Sequence, residues 1–507
     1  MVQFNPMMQT TLQNKRPAMW AELHGWRVDR TVATPLSRQI YQQVRQAVLS
    51  GALAPGSKLP SSRIMAVELG VARASVFAAY EQLLTEGYAS GHAGSGTFVT
   101  TEVTARIARP RRAARPAKPP EVPASARTFA EFERSTARED ARPFNTGRTL
   151  IDARTAEVWR TLTHRAVRAP GANHLGYTDP RGFLELRESI CDYLRAARAV
   201  RCEPEQIVVT SGTQHAIDIT IRVLLAPGDD VWVEDPGYAL THEQLMLAKA
   251  RLHPIPVDRQ GIKVAAGRRL APRARAAFVT PSHQFPTGVA MTMARRMELL
   301  DWARCSGAFI IEDDYTSEFR YSGAPLASLQ GLDDDARVIY VGTLNKALFP
   351  GLRLGYAVVP RALLAGFVNA RYLIDRQPPS LYQVVTADFL REGHFAAHIR
   401  RMRKLYREQR DALAATLTRL AGDHLKVEVP DQGMHLIAWL TNGATDIAIQ
   451  NIARQHGIVV QAMTRFYRSA PAEQALMLGF SGYPRQLIVP AAARLAAIVA
   501  DAHRPAR

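Results

Sequence analysis

Short apolar segments alternate with helical patterns from about Phe144 onward, and this alternation constrains the fold more than any other feature of the sequence. Strands that alternate with helices, such as the helical pattern from Leu184 to Leu194, build an α/β unit with a largely parallel sheet. The predicted strands are Gln206 to Thr210, Asp230 to Glu234, Ala276 to Thr280, Phe309 to Glu312 and Val338 to Val341. The second part of the chain is therefore predicted to be an α/β domain.

A smaller pattern of helices and glycine-rich strands occupies residues 34–100. Helices are predicted at Leu36 to Leu49, Ile64 to Leu69 and Arg73 to Glu86, and short strands from Tyr88 to Val99. A serine precedes the second helix as a cap, and Gly70 breaks the chain before the third. Helix, turn, helix and β-wing together are typical of a DNA-binding unit.

The length of the chain requires more than one domain. At 507 residues it exceeds the size at which a single hydrophobic core stops growing. Residues 101–140 lose hydrophobic periodicity and are rich in proline and arginine, which favours an extended, semi-rigid spacer. The basic residues of this linker either add attraction for phosphates or are only solvated. We expect an N-terminal arm at 1–33, a DNA-binding unit at 34–100, the linker at 101–140 and a large domain at 141–507.

Composition narrows the class of partner and the compartment. The net charge of +18 favours a polyanionic partner, and the hydrophobic fraction of 47% is ordinary for a soluble protein. The three cysteines have no metal-ligand spacing, and their odd number argues against a disulfide framework, so we expect three core thiols in a reducing cytoplasm. Residues 1–30 lack an apolar signal segment and no later run is long enough to cross a bilayer, so no membrane association is expected.

Polar residues follow the first two predicted strands, where open α/β sheets bind their ligands. Ser211, Gly212 and Thr213 stand at the start of a helical pattern, which suits a phosphate, although an ordinary helix cap has the same composition. Tyr238 follows the second strand, where its ring either stacks on a planar cofactor or packs in the core. Each signal is weak when taken alone.

Acids, a lysine and an arginine follow the later strands. The run Glu312-Asp313-Asp314-Tyr315 needs a cationic partner, either a protonated pyridine nitrogen or a metal, but no histidine cluster stands nearby. Lys346, seven residues before Arg353, can form a Schiff base with pyridoxal phosphate, and Arg353 suits the phosphate group. A single lysine is normally a surface residue. The ordered series instead predicts pyridoxal 5'-phosphate as the cofactor, with no metal.

The N-terminal unit resembles the winged helix of the GntR family of bacterial repressors. The matching strings are Leu59-Pro-Ser-Ser-Arg63, Leu69-Gly-Val71, Tyr80 to Leu83, Glu86-Gly-Tyr88 and Gly94-Ser-Gly-Thr-Phe-Val99. The resemblance implies that Arg63 and Arg73 contact DNA, that Ser75 adds a hydroxyl contact, and that Gly94 belongs to the DNA-binding wing. Ala72, Ala74 and Phe77 depart from the family pattern, so fewer base contacts are expected from this helix.

Residues from about 144 to 500 resemble a class I (fold type I) aminotransferase domain. The matching strings are Leu175 to Gly182, Ser211 to Gln214, Glu234 to Tyr238, Thr280 to Gly288, Glu312 to Tyr315, Gly342 to Lys346 and Arg353 to Tyr356. A GntR-type winged helix fused to such a domain is the architecture of the MocR subfamily, and the resemblance covers nearly the whole chain. It implies a dimer.

This second resemblance also implies a role for each site residue. Lys346 would carry the Schiff base, Asp313 rather than Asp314 would pair with the pyridine nitrogen, and Tyr315 would hydrogen-bond the ring hydroxyl. Tyr238 would stack on the ring. The phosphate would be held by Ser211, Gly212, Thr213, Thr343 and Arg353.

Departures from the aminotransferase pattern bear on turnover. Asn345 stands where serine is common before the lysine, and Phe285 stands where an asparagine usually precedes Pro-Thr-Gly. Met477 aligns with the arginine that binds a substrate carboxylate, and the motif does not place Arg465 or Arg468 as a substitute. Full transamination of an amino acid is therefore not expected.

The leading interpretation is a transcriptional regulator whose large domain binds pyridoxal phosphate. We expect it to bind a double-stranded DNA operator as a homodimer and to sense a small amine or pyridoxal phosphate itself. One alternative is an active aminotransferase with an accessory DNA-binding unit. Another is a DNA-binding protein whose large domain serves only for dimerisation.

Overall fold

Two compact units, residues 1–132 and 133–507, make up the chain, and each has its own hydrophobic core. The computed structural model describes residues 20, 25–92, 95–101, 123, 126, 129–130, 141–168, 171, 175–323, 326–441, 443–469 and 473–502. Most of the predicted linker, residues 101–140, therefore lies outside the described residues. No helix in the described part of the chain is long and apolar enough to cross a membrane.

The N-terminal unit is a winged helix-turn-helix, as predicted. It contains helices α1 (Leu36–Leu49), α2 (Ser62–Leu69) and α3 (Arg73–Thr85) and an antiparallel wing of β1 (Ala89–His92) and β2 (Gly96–Val99). Its core is built on one face of each helix, because buried residues recur at helical spacing. The Ser61 side chain accepts a hydrogen bond from Ile64 N at 3.3 Å and caps α2, which ends at Gly70 with a left-handed φ of 63°.

The large unit is built on an eight-stranded sheet. Its strands are β3 (Ile207–Thr210), β4 (Asp230–Asp235), β5 (Arg251–Asp258), β6 (Gly261–Ile262), β7 (Ala276–Val279), β8 (Phe309–Asp314), β9 (Val338–Thr343) and β10 (Gly355–Val358), in the order β3-β10-β9-β8-β7-β4-β5-β6. β5, β4, β7, β8 and β9 run parallel, whereas β10 pairs antiparallel with both β3 and β9. All five predicted strands are confirmed, and the largely parallel sheet with them.

Helices pack around this sheet and a second, smaller sheet. They are α4 (Ala153–Arg168), α5 (Leu184–Arg198), α6 (Thr213–Leu224), α7 (Ala239–Leu247), α8 (Val264–Leu270), α9 (Met293–Ser306), α10 (Leu329–Leu332), α11 (Arg361–Asp375), α12 (Ser380–Arg391), α13 (His394–Ala421), α14 (Asp446–Gln455) and α15 (Arg485–Asp501). The second sheet is antiparallel, with β11 (Leu425–Glu428), β12 (His435–Leu440), β13 (Gln461–Ala462) and β14 (Ala475–Gly479) in the order β11-β12-β14-β13.

The cysteines do not all behave as predicted. Cys191 and Cys202 are buried, as core thiols should be, but Cys305 is exposed. The prediction of three core thiols is wrong for Cys305, because it lies in the last turn of α9 on the solvent side.

Candidate functional site

A cavity of ≈ 500 Å³ lies at the carboxyl ends of the parallel strands of the large unit. It is lined by seven of the nine residues predicted to bind the cofactor, namely Thr213, Tyr238, Asp313, Tyr315, Thr343, Lys346 and Arg353. Ser211 and Gly212 precede Thr213 in the chain but do not line the cavity, and Ser211 donates its backbone N–H to His215 Nδ1 at 3.1 Å. The fold thus brings together residues that are spread over a large part of the sequence.

The amine of Lys346 lies against a glycine that the sequence patterns did not single out. Lys346 Nζ donates a hydrogen bond to Gly147 O at 3.3 Å. Gly147 has a left-handed φ of +81°, and a Cβ there would be 2.1 Å from Lys346 Nζ. Asn145 and Thr146 line the same wall. The one local signal for this segment was a glycine in a polar run just after Phe144, which is too common to mark a site.

The three acids of β8 have different environments because side chains of a strand alternate between its two faces. Asp314 accepts hydrogen bonds from Arg198 and Tyr340, at 2.8 and 2.7 Å. Glu312 accepts hydrogen bonds from the backbone N–H groups that begin α10, both at 2.9 Å. Asp313 alone of the three lines the cavity. The predicted strand ended at Glu312, but β8 extends through Asp314. Alternation along this strand puts Asp313 on the opposite face from Glu312 and Asp314, so the three acids have different partners.

Asp313 is an acid in an environment that opposes ionisation. Its Oδ1 is buried and has no hydrogen-bond partner among the residues that the structure describes. Burial, together with the negative charges of Asp314 and Glu234, raises the pKa of Asp313 to about 8, and Lys346 acts in the opposite direction. A cation bound in the cavity would therefore find an acceptor here.

Two tyrosines bring neutral phenol groups to the cavity. Tyr315 Oη is buried and lacks a hydrogen-bond partner within the described part of the chain, and burial raises its pKa well above 10. Tyr238 directly precedes α7, and its ring lies edge-on to Phe285 with centroids 5.3 Å apart. Burial, with the charge of Asp313, raises the pKa of Tyr238 to about 12. Both hydroxyls are protonated at neutral pH.

Another part of the cavity combines a helix N-terminus with a guanidinium group. α6 begins at Thr213, directly after Gly212, whose φ is +104°. A Cβ at Gly212 would be 3.5 Å from a guanidinium nitrogen of Arg353, so this side chain lies beside the N-terminus. Thr343 Oγ1 accepts the backbone N–H of Asn345 at 3.2 Å. Free helical N–H groups and a guanidinium group form a site suited to a phosphate.

The residues considered for binding a carboxylate do not line the cavity. Met477 is fully buried in β14. Arg465 is exposed, and Arg468 donates to His242 Nδ1 at 3.2 Å and lies 3.5 Å from Glu243. Neither arginine is among the residues around the cavity.

The winged unit presents its predicted DNA contacts at the start of two helices. Arg63 and Arg73 are exposed near the N-termini of α2 and α3, and Arg73 Nε donates to Ser62 Oγ at 3.2 Å. Ser75 is half-buried in the first turn of α3, and Phe77 is 57% exposed one turn after Arg73. Gly94 lies outside the described residues.

Comparisons with known proteins match both units. The family described as aminotransferase class I and II matches residues 143–480, and the bacterial regulatory proteins of the gntR family match residues 36–99. The chain is 39% identical to the probable rhizopine catabolism regulatory protein MocR of Rhizobium meliloti, over 90% of this chain and 92% of that protein. It is 30% identical to the pyridoxine biosynthesis transcriptional regulator PdxR of Corynebacterium glutamicum, over 89% of this chain and 93% of the relative.

Solved structures of aminotransferases share the fold of the large unit. One is the kynurenine aminotransferase of Pyrococcus horikoshii in complex with PMP, with a TM-score of 0.67 and 27% identity over 74% of this chain and 97% of that one. Another is the α-aminoadipate aminotransferase LysN of Thermus thermophilus, complexed with N-(5'-phosphopyridoxyl)-L-leucine, with a TM-score of 0.67 and 26% identity over 74% of this chain and 97% of the other. Class I aminotransferase folds depend on pyridoxal phosphate.

The residues present fit this cofactor. Asp313 Oδ1 and Tyr315 Oη are buried polar atoms that lack a partner among the described residues, and a pyridine N–H and a ring hydroxyl supply the groups that they need. An amine, Lys346, lines the same cavity, and so does a guanidinium group, Arg353.

Proposed function

This chain belongs to the MocR-type regulators, in which a GntR-family DNA-binding unit precedes an aminotransferase class I and II unit, and we propose that a small amine or pyridoxal phosphate controls its binding to an operator. The observation that carries this proposal is one cavity that unites Lys346, Asp313, Tyr315 and Arg353. In the same chain a winged helix presents exposed arginines.

Each cofactor residue has a proposed role that follows from its atoms. Lys346 supplies the amine, Asp313 accepts from the pyridine nitrogen and Tyr315 faces the ring hydroxyl. Tyr238 packs on the ring. The proposed phosphate site comprises Thr213, Thr343 and Arg353 in the cavity lining, with Ser211 and Gly212 in the turn that leads directly into α6. When bound, pyridoxal phosphate supplies an aldehyde carbon that can exchange one amine partner for another.

The effector changes what the chain's own groups contact. An effector amine bound in place of Lys346 would release the lysine side chain, which could then contact the wall at Gly147 as it does in this structure. This rearrangement alters DNA affinity only to the extent that the effector binds the two conformations of the protein with different affinities. Pyridoxal phosphate itself would act by the same principle, through Asp313 Oδ1 and Tyr315 Oη, which lack hydrogen-bond partners among the described residues.

DNA binding is proposed for the winged unit through Arg63, Arg73, Ser75 and the wing around Gly94. Cationic and hydroxyl side chains at helix N-termini contact phosphates and base edges. We propose a homodimer, for which two operator half-sites follow from the two-fold symmetry. Access to chromosomal DNA implies a cytoplasmic location.

An aminotransferase with an accessory DNA-binding unit is the second candidate. The complete set of Lys346, Asp313 and Arg353 favours it, whereas the buried Met477 disfavours turnover of amino acids. Incubation with an amino acid and a keto acid distinguishes the two, because only the enzyme forms a new keto acid repeatedly.

The first experiment compares the visible absorbance of the purified full-length protein with that of Lys346→Ala. We expect an absorbance band that depends on Lys346 and that shifts with an effector amine. Operator affinity is measured in parallel by fluorescence anisotropy, with and without cofactor and amine. An operator affinity that is the same under all these conditions would contradict the regulatory proposal.

A further inference from the structure

Met477 lies directly behind one wall of the cofactor cavity, although it does not line the cavity itself. It pairs directly with Gln461 in β13 and with Ile437 in β12. Paired residues of an antiparallel sheet lie on the same face, and Gln461 lines the cavity. Met477 therefore lies behind this wall rather than on the opposite face of the sheet.

An apolar cluster fills the space around Met477. Met477 packs with Ile437, Met463 and Ala475, all of them buried, and the half-buried rings of Phe285 and Phe466 pack against this cluster. The two rings are edge-on, with centroids 5.2 Å apart, and both line the cavity. This part of the cavity presents apolar and aromatic surface.

Cationic groups are scarce around the cavity. Among the described residues that line it, the lysine and arginine side chains are Lys346 and Arg353, and the proposed function uses both for the cofactor. His435 also lines the cavity, but its Nε2 bonds with Pro286 O at 2.9 Å and burial lowers its pKa to about 4, so its ring is neutral at pH 7. Apart from Lys346, whose place the effector amine takes, no further positive charge among these residues is available for an effector.

Neutral hydrogen-bonding groups are present instead. The amides of Asn145, Gln214 and Gln461 and the hydroxyl of Thr146 line the cavity with the aromatic rings. The amides and the hydroxyl suit hydroxyl groups on a ligand, and the aromatic rings suit an aromatic ring. A buried carboxylate without a cationic partner would instead cost several kcal/mol.

We propose that the effector is a primary amine without a carboxylate, whose body is uncharged and carries hydroxyl or aromatic groups. This inference rests on the proposed function, because it names the class of amine that reaches the cofactor at Lys346. It sets the regulator apart from aminotransferases that bind α-amino acids. The specificity lies in the apolar wall of Phe285 and Phe466, with the buried Met477 behind it.

Matched pairs of ligands test the proposal directly. Tyramine and L-tyrosine, phenethylamine and L-phenylalanine, and ethanolamine and L-serine differ within each pair only by a carboxylate. Each compound is titrated into the full-length protein with bound pyridoxal phosphate, with visible absorbance and melting temperature as the two readouts. We expect at least one amine to bind at least about tenfold more tightly than its amino acid, a difference of about 1.4 kcal/mol.

The possible outcomes separate this inference from the proposed function. Amino acids that bind as tightly as their amines, or more tightly, overturn the inference but leave amine sensing intact. If no compound of either class changes the absorbance or the melting temperature, amine sensing itself fails and the inference fails with it.

A designed arginine provides an independent test. Met477→Arg places a cation behind the wall, and we expect it to strengthen amino-acid binding at least about tenfold. Because Met477 is fully buried, this variant can fail to fold, so Gln461→Arg, at a half-buried position on the same face, is made beside it. Leu487→Arg adds the same charge at a position that is 51% exposed in α15 and should change neither affinity. The proposal is overturned if a folded Gln461→Arg protein still discriminates against the carboxylate as the wild type does.

Discussion

Gly147 and Gly228 both have left-handed backbones, with φ of +81° and +91°, but only Gly147 lies against a functional group. A Cβ at Gly147 would be 2.1 Å from Lys346 Nζ, whereas no described atom lies within 4 Å of a Cβ at Gly228. We expect Gly147→Ala to raise the Kd for pyridoxal phosphate at least about tenfold, because the amine must move. Absorbance titration measures this change.

Gly228→Ala is the matched control for this prediction. It introduces a similar backbone strain, of about 1 kcal/mol, without a contact to the lysine. The control should lower the melting temperature and leave the Kd for pyridoxal phosphate unchanged. Equal Kd values for the two variants would mean that the close approach to Lys346 has no part in cofactor binding.

The raised pKa of Asp313 gives a second prediction at this scale. Its pKa is about 8 in the folded chain and ordinarily 3.8. Because the folded chain favours the protonated carboxyl group, this group stabilises the folded state fully at pH values below its unfolded pKa. Its contribution to the free energy of unfolding is lost as the pH rises towards the folded pKa. In cofactor-free protein we expect Asp313→Asn to become stabilising between about pH 5 and pH 8, by more than about 1 kcal/mol. Urea unfolding at several pH values measures the free energy.

Cofactor binding should respond to the same substitution with the opposite sign. An asparagine has no charge to offer a protonated pyridine nitrogen, so we expect Asp313→Asn to weaken pyridoxal phosphate binding at least about tenfold. A stability difference that does not vary with pH would contradict the raised pKa. Unchanged cofactor affinity would contradict the proposed role of this carboxylate.

At the scale of elements, α3 carries an exposed phenylalanine at a position where polar side chains that contact DNA are common. Phe77 is 57% exposed and lies one turn after Arg73, on the same face of the helix. Apolar side chains recognise thymine through its methyl group. If Phe77 packs on a thymine methyl group, replacement of that thymine by deoxyuridine should weaken wild-type binding about fourfold, or about 0.8 kcal/mol for one buried methyl group.

The matching variant turns this prediction into a double-mutant cycle. Phe77→Ala should weaken operator binding and abolish the effect of deoxyuridine, whereas Leu270→Ala, an exposed position in α8, should change neither. Fluorescence anisotropy with the two operators measures all four affinities. If deoxyuridine weakens binding of the variant as much as that of the wild type, Phe77 does not read the methyl group.

Elements also show how far the sequence predicts this fold and its site. The starts of the five predicted strands lie within one residue of the observed ones, but β5, β6, β10 and the second sheet were not predicted. β8 and β9 also extend beyond their predicted ends, through Asp314 and Thr343. Polar residues at the end of a strand still form backbone hydrogen bonds with the neighbouring strand. The apolar pattern that predicts the strand has already stopped before them, so the predicted end comes too early. Contacts between distant segments are not encoded in any local pattern, and Gly147 lies 199 residues from Lys346.

At the scale of the whole molecule, the net charge of +18 and the exposed arginines predict salt-sensitive DNA binding. If Arg63 and Arg73 each contact one phosphate, Arg63→Ala and Arg73→Ala should each reduce the slope of log affinity against log salt by about 0.9. Anisotropy titrations at several salt concentrations measure the slope. Arg160→Ala, which removes a 71% exposed arginine of the other unit, should leave it unchanged. A slope that responds equally to all three variants would indicate only general charge attraction.

The position of β10 determines when the cofactor site can form. β10 inserts between β3 and β9, and a Cβ at Gly355 in β10 would be 2.7 Å from the Cα of Gly212. Arg353 and Gly212 are therefore brought together only after the last strand of the sheet has joined the first, and such non-local pairing is slow. We expect newly made chains to capture pyridoxal phosphate late in folding. Chains without pyridoxal phosphate lack the stabilisation that a bound ligand gives to the folded state, so they remain easier to degrade. The lifetime of this protein in the cell should therefore follow the supply of its cofactor.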